Sequence, residues 1–297
     1  MSYELVHADA FEWLATCPPH SIEAVVTDPP FGVREFEPGD LAKKRSGSGG
    51  HWRVPQTTGG ADRRAVPRFS TITTKEAEQA VGYFEAFGAL IHRVLVPGGH
   101  LIIANTPLLS DYMYQGLRSS GLEKRGEIVR IVKTIRGGDR PKLSEEEFPE
   151  VSVMPRGHWE PWGIFRSPIG ERTVAENLRV HRTGALRRPS RDLPFSDLIL
   201  SGVAGRAERA IANHPSIKPQ AYMRQIVRAS LPLGQGTVLD PFAGSGSTIA
   251  AAVFLGYDAI GIERDDEFYE MAKQAIPRLA ALATTSRDDT NVDELVV

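Results

Sequence analysis

An α/β fold with a mostly parallel sheet follows from three observations. Short apolar runs alternate with segments of helical period, two of those runs end in Asp-Pro, and a glycine-rich loop joins one of them to a helix. Strands that are apolar throughout need cover on both faces, which helices between parallel strands supply.

In chain order, Ile22 to Thr27 reads as a buried strand, with the amphipathic piece Phe11 to Leu14 before it. It ends in Thr27-Asp28-Pro29-Pro30-Phe31-Gly32. Neither proline can donate to a helix or a ladder, and each pushes its predecessor into extended backbone. The segment from Gly32 to Ser70 is rich in Gly, Ser, Pro and charge without a period, which predicts a mobile loop over 33–72. Tyr83, Phe84, Phe87, Leu90, Ile91, Val94 and Leu95 then recur at helical spacing. Pro97-Gly98-Gly99 is expected to stop that helix before a strand at His100 to Asn105. Between about Gly121 and Asn213 the pattern weakens to short apolar pieces, Ile128 to Val132 and Trp162 to Phe165, among basic Pro-rich stretches. Regularity returns with a helix near Ala221 to Ala229, a strand at Thr237 to Leu239, and a helix from Ser247 ended by Gly256. A strand at Ala259 to Ile262 and a helix opening at Asp265 complete the order. The acidic tail 284–297 is expected to be disordered.

The 297 residues divide on this reading into 1–120, 121–213 and 214–283. A hydrophobic share of 41% suffices for a substantial core, and a formal net charge of −2 carries no global nucleic-acid signature. No apolar run approaches a membrane span, no signal pattern opens the chain, and Cys17 is the single cysteine. A reducing, cytoplasmic setting and no metal site are expected. His214, His158 and His181 show no ligand spacing.

The second Asp-Pro strand continues as Asp240-Pro241-Phe242-Ala243-Gly244-Ser245-Gly246-Ser247-Thr248. Glycines there allow a tight turn and close approach to a ligand at a helix N-terminus. The loop is neither a Walker loop, which needs Lys-Ser/Thr after the last glycine, nor a full GxGxxG. Glu263 ends the next strand, about twenty residues on, the spacing at which an acid meets ribose hydroxyls in nucleoside-binding α/β folds. Should the strands ending at Asp28 and Asp240 be neighbours, one crevice would hold a nucleoside beside a carboxylate and an aromatic ring.

These residues carry a resemblance. VVTDPPFG resembles the catalytic motif of amino-group DNA methyltransferases, and VLDPFAGSGST resembles their S-adenosylmethionine loop. The motif order resembles the permuted beta class. LVHADAFEWL, with Asp9 and Ala10, is similar to the segment that contacts the cofactor adenine. HRVLVPGGHLIIANT resembles the unit behind the pocket, and HPSIKP, with Lys218, the lead-in that closes over the methionine end. His158-Trp159-Glu160-Pro161-Trp162 loosely resembles a His-Glu pocket motif. The resemblance implies a Rossmann-like S-adenosylmethionine-dependent methyltransferase fold, circularly permuted. It implies catalytic Asp28, Pro29, Pro30 and Phe31, and a cofactor held by Asp9, Ala10, Lys218, Asp240 to Thr248, Glu263 and Arg264.

The chemistry suits the residue types. An exocyclic amino nitrogen is a poor nucleophile until hydrogen bonding restrains its lone pair. Asp28 and the Pro29 carbonyl can each accept one amino hydrogen, and Phe31 can stack on an extruded base. Methylation at cytosine carbon 5 would need a thiolate, and Cys17 lies in the wrong context. The resemblance implies that Asp at position 28 favours adenine N6, with cytosine N4 as the alternative. RNA or protein-amide methylation and a catalytically silent DNA-binding subunit stay open.

Two basic stretches, 34–68 and 166–191, are expected to flank the proposed base pocket, with most of their residues meeting DNA phosphates and a few reading base edges. Lys43, Lys44, Arg45, Arg53, Arg63, Arg64, Arg182, Arg187 and Arg188 are the candidates, with Arg166 and Arg179 in the second run. The resemblance implies double-stranded DNA as partner and allows a homodimer and a cognate restriction endonuclease.

Overall fold

The computed structural model describes residues 2–30, 72–132, 140–141, 143–214 and 216–284. Phe31, Lys43, Lys44, Arg45, Arg53, Arg63, Arg64 and most of the C-terminal tail lie outside the described residues.

The strands are β1 (Tyr3–His7), β2 (Ile22–Thr27), β3 (Leu95–Ala104), β4 (Glu123–Ile131), β5 (Trp159–Arg166), β6 (Leu198–Leu200), β7 (Thr237–Asp240) and β8 (Asp258–Glu263). The helices are α1 (Ala10–Thr16), α2 (Thr74–Val94), α3 (Ser110–Ser119), α4 (Val174–Val180), α5 (Arg206–Ile211), α6 (Gln220–Ser230), α7 (Ser247–Leu255) and α8 (Asp266–Ala280). One sheet runs β1-β8-β7-β2-β3-β5-β4-β6. Only β5 is reversed, antiparallel to both β3 and β4. The centre pairs β2 with β7 in parallel, Val25 opposite Leu239. The chain winds one way from β7 to β8 and the other way from β2 to β3, so the switch point lies between Asp28 and Asp240.

Alternation along the central strands sorts the core onto two faces. Ala24 and Val26 of β2 and Ile102 and Ala104 of β3 pack toward Tyr222, Met223, Ile226 and Ile249 of α6 and α7. Val25, Leu101 and Ile103 pack toward Phe84, Phe87 and Ile91 of α2 and Met113 and Leu117 of α3. Helix α2 opens on a capping box, with Thr73 Oγ1 accepting from Glu76 N and Glu76 Oε2 from Thr73 N.

One boundary differs from expectation. Helix α2 ends at Val94 and β3 begins at Leu95, so Pro97-Gly98-Gly99 lies inside the strand rather than stopping the helix. The register jumps there from Ile22↔Leu95 to Ala24↔His100. Gly98 takes φ +82 and donates its N–H to Ser167 and Pro168 carbonyls, and a β-carbon on it would collide with the Asn177 amide. The three residues thus bulge out to seat the α4 region.

Candidate active site

The carboxyl ends of the parallel strands gather the polar residues. Thr27 Oγ1 donates to Asp240 Oδ1 at 2.7 Å, both side chains buried, which ties the two Asp-Pro strands together. Phe242 N also donates to Asp240 Oδ1, at 3.1 Å. Burial lifts the Asp240 carboxyl to about 6 against the hydrogen bonds from Thr248, Thr27 and Phe242. Asp240 therefore fixes the loop to its neighbour strand.

The loop itself turns on two glycines in the left-handed region, Gly244 at φ +49 and Gly246 at φ +77. A β-carbon on Gly246 would strike Ile276 of α8, and one on Gly244 would stand 3.1 Å from the His214 ring. Glu263, ending β8, accepts from Gly244 N at 2.8 Å and Asp265 N at 2.9 Å, so its carboxylate lies against the loop. Beyond β1, Asp9 caps α1 by accepting from Phe11 N and Glu12 N, with Arg264 Nη1 4.0 Å from its other oxygen. Strand ends β1, β8 and β7 thus carry Asp9, Glu263 and Asp240 along one rim, with Phe242 half-buried against Phe87 at 5.5 Å. Carboxylates for hydroxyl and amino donors, a backbone turn free of side chains, and a flanking ring suit a nucleoside bearing a cationic centre. The residues fit S-adenosylmethionine.

Next to that rim lies a cluster that bridges four elements. Lys218, in the loop before α6, directs its ammonium onto Asp28 Oδ2 and stands 3.5 Å from Glu160 Oε1 at the start of β5. Glu160 also pairs with Arg130 of β4, Nη1 to Oε2 at 2.6 Å. Arg130 spends its other donors on Ser201 Oγ at 3.1 Å and the Gly202 carbonyl at 2.9 Å. The floor is aromatic. The Arg130 guanidinium sits 4.7 Å over the Tyr222 ring, and Trp162 meets Tyr222 edge-on at 5.4 Å.

Burial raises the Asp28 carboxyl above the ordinary range, the Lys218 ammonium opposes that rise, and the Glu160 carboxylate adds to it. Burial works on Glu160 in the same direction, but Lys218 and Arg130 outweigh it and hold that carboxyl below its usual value. Burial likewise works against the Lys218 ammonium, and the two carboxylates together hold its pKa above the ordinary value.

Lys218, expected among the cofactor contacts, thus turns its ammonium to the Asp28 carboxylate instead. The reason is the direction of the lead-in, which seats His214 against Gly244 and Phe268 but brings residue 218 under β5. The second basic stretch needs a larger correction. Because β5 runs backwards, Glu160 lies at the carboxyl edge while the chain leaving at Arg166 emerges at the amino edge. Arg182 Nη1 donates to Gln235 Oε1 just before β7, and Arg187 Nη1 to Tyr257 Oη just before β8. Arg188 Nη1 holds the Arg191 carbonyl. Arg166 is buried, bound to Glu123 and the Gly184 carbonyl. These arginines brace the far end of the sheet from Asp28, so the expectation that they flank the base pocket does not hold. Missed from the sequence were Arg130, Thr27 and Tyr222. Arg130 had a signal, since it shares the alternation of Ile128 in a strand whose other face is less buried.

Comparison with known proteins now decides the class. Residues 164–274 match the family model described as DNA methylase. Across 92% of its length the chain is 24% identical to type II methyltransferase M2.DpnII of Streptococcus pneumoniae, of which it spans 88%. These matches support an amino-group DNA methyltransferase. A 59-residue stretch of this methyltransferase is 48% identical to DNA adenine methyltransferase YhdJ of Escherichia coli (strain K12), 20% of each chain. Its fold matches a DNA modification methylase of Thermus thermophilus complexed with S-adenosyl-L-methionine, with TM-score 0.57, 21% identity, and 94% and 97% of the two chains covered. It also matches the cytosine-N4-specific PvuII DNA methyltransferase, with TM-score 0.59, 15% identity, and 99% and 91% covered. Among its described residues no helix is long and apolar enough to cross a membrane.

Proposed function

We propose that this methyltransferase modifies the exocyclic N6 of adenine in double-stranded DNA. The observation that carries the reading is the position of Asp28, a half-buried carboxylate held in a polar cluster beside the Gly244–Gly246 loop across the switch point. The motif around it, Asp28-Pro29-Pro30-Phe31, and the similarity to a protein named as a DNA adenine methyltransferase both favour adenine. The fold alone does not choose, since it is shared with a cytosine-N4-specific protein.

S-adenosylmethionine supplies an electrophilic methyl group on a sulfonium centre. Asp9, Ala10, Asp240 to Thr248, Glu263 and Arg264 would hold it, Glu263 at the ribose and Asp9 near the adenine amino end. The chain's own contribution is placement. Asp28 accepts one hydrogen of the target amino group and offsets the positive charge that builds on nitrogen as it gains a methyl, after which that nitrogen gives up one N–H proton through Asp28 to solvent. The Pro29 carbonyl accepts the other hydrogen, its direction fixed by the proline pair, and Phe31 offers the stacking face.

Incubating unmethylated duplex DNA with cofactor, followed by nucleoside mass spectrometry, is expected to yield N6-methyladenine. N4-methylcytosine as the product would overturn the adenine reading. Asp28→Ala is expected to lower turnover by about a thousandfold or more while cofactor affinity changes little, on the scale of losing a group that acts only in the transition state.

A further inference from the structure

We propose that Lys218 is a positioning residue for methyl transfer: it holds the acceptor oxygen of Asp28 in the resting enzyme and is passed to Glu160 when the target amino group arrives. The inference rests on the reading of Asp28 given above and names what keeps that carboxylate ready.

The geometry supports a relay between two stations. The Lys218 ammonium touches Asp28 Oδ2 and lies 3.5 Å from Glu160 Oε1, so a small swing of a four-carbon stem exchanges one carboxylate for the other. An incoming amino group needs the lone pair that Lys218 now occupies, so the ammonium must give way. Glu160 can receive it because Arg130 fixes that carboxylate at 2.6 Å and is itself locked by Ser201 and Gly202. The site is built to keep these charges out of water. The side chains of Lys218, Asp28, Glu160 and Arg130 are 12%, 21%, 22% and 5% exposed. Trp162, 5.9 Å from the ammonium, lines the base of the cluster.

Each element packed around Asp28 contributes a charge or a titratable group. Lys218 comes from the loop before α6, Glu160 from β5, Arg130 from β4, Asp240 from β7 and Tyr222 from α6. The Tyr222 phenol stays neutral, since burial pushes it well above its ordinary value. Lys218 and Arg130 therefore oppose the rise that desolvation and Glu160 impose on the Asp28 carboxyl. Without Lys218 the Asp28 carboxyl takes up a proton at a pH where the native enzyme keeps it ionised.

The test is the acid limb of the kcat/KM profile on unmethylated duplex DNA, together with cofactor affinity by direct titration. In Lys218→Met the limb is expected to move up by about one pH unit or more, so that the activity lost at lower pH returns as pH is raised. In Glu160→Gln, which removes the opposing anion, it is expected to move down. Lys218→Arg keeps the charge and is expected to restore the native limb. All three are expected to bind S-adenosylmethionine within about threefold of the native enzyme, because Lys218 acts on Asp28. A Lys218→Met profile lowered evenly at every pH, shifts of the same sign in the two neutralising variants, or loss of cofactor binding would each overturn the proposal. Should Lys218→Met fail to fold, the Glu160→Gln and Lys218→Arg profiles still decide. Asp28→Asn separates the layers. If it turns over normally, the reading of Asp28 fails; if it is inactive while the Lys218→Met limb stays in place, only the role of Lys218 fails.

Discussion

The two edges of the sheet use charge in opposite ways. At the carboxyl edge Asp28, Lys218, Glu160 and Arg130 meet across four elements, mostly out of water, and neutralise one another. At the amino edge Arg166, Arg182, Arg187 and Arg188 reach mainly for carbonyls, an amide and a phenol, and so pin loops. The first arrangement stores chemistry and the second stores shape. What separates them is topology, since the single reversed strand β5 starts at one edge and delivers the chain to the other.

That contrast can be broken in several places. Glu160→Ala leaves the buried Arg130 without its carboxylate and is expected to cost about 3 kcal/mol, the lower end for breaking a buried pair. Its counterpart Glu123→Ala removes a 39% exposed carboxylate from Arg166, which keeps the Gly184 carbonyl, and is expected to cost less, about 1–2 kcal/mol. Urea titrations of the two variants check the ratio. Gly246→Ala forces a β-carbon onto a left-handed backbone and into Ile276, for about 2 kcal/mol and a weakened cofactor titration.

The edges also titrate with opposite sign. His100, beside Arg166 at the amino edge, is pushed down to about 3 by burial and then by Arg166 and Arg125. Its share of stability is present above about 6.5 and is lost as pH falls toward 3, about 1.4 kcal/mol per unit. Asp240 is raised to about 6, so its share is present below 3.8 and is lost as pH rises through about 6. Between pH 4 and 6 the two slopes, each about 1.4 kcal/mol per unit, oppose one another. His100→Gln is expected to leave stability falling with pH across that window and Asp240→Asn to leave it rising, as read by thermal melts at stepped pH. The smallest expected effect is that of Arg188→Ala. It should change the KM for DNA by less than about twofold and stability by under about 0.5 kcal/mol, as for a surface change away from the site.

The same contrast marks what could be read from the chain alone. β2, β7, β8, α7 and the start of α8 carry local signals, namely apolar runs, Gly246 and Gly256 at the helix ends, and the Asp265 cap. Their order and the neighbouring of Asp28 and Asp240 followed. β1 and the three-residue β6 lie at the two ends of the sheet, where little of the strand is buried and no strong pattern is needed. The partner of Lys218 was not legible because it stands 190 residues away, and a lysine before a proline says nothing of which carboxylate it meets. The direction of the basic run failed for a similar reason. A count of arginines is blind to the reversal of one strand.

The Thr27–Asp240 hydrogen bond spans 213 residues, and that span sets a timetable. During synthesis β2 and β3 emerge early, but the second neighbour of β2 does not exist until Asp240 has been added. At about 5–20 residues per second, the wait is on the order of 10–40 s. Throughout it β2 offers the cell a bare, largely apolar strand edge of the kind that seeds aggregation. A permuted motif order thus leaves β2 unpaired on that side until the strand leading into the glycine loop has been made.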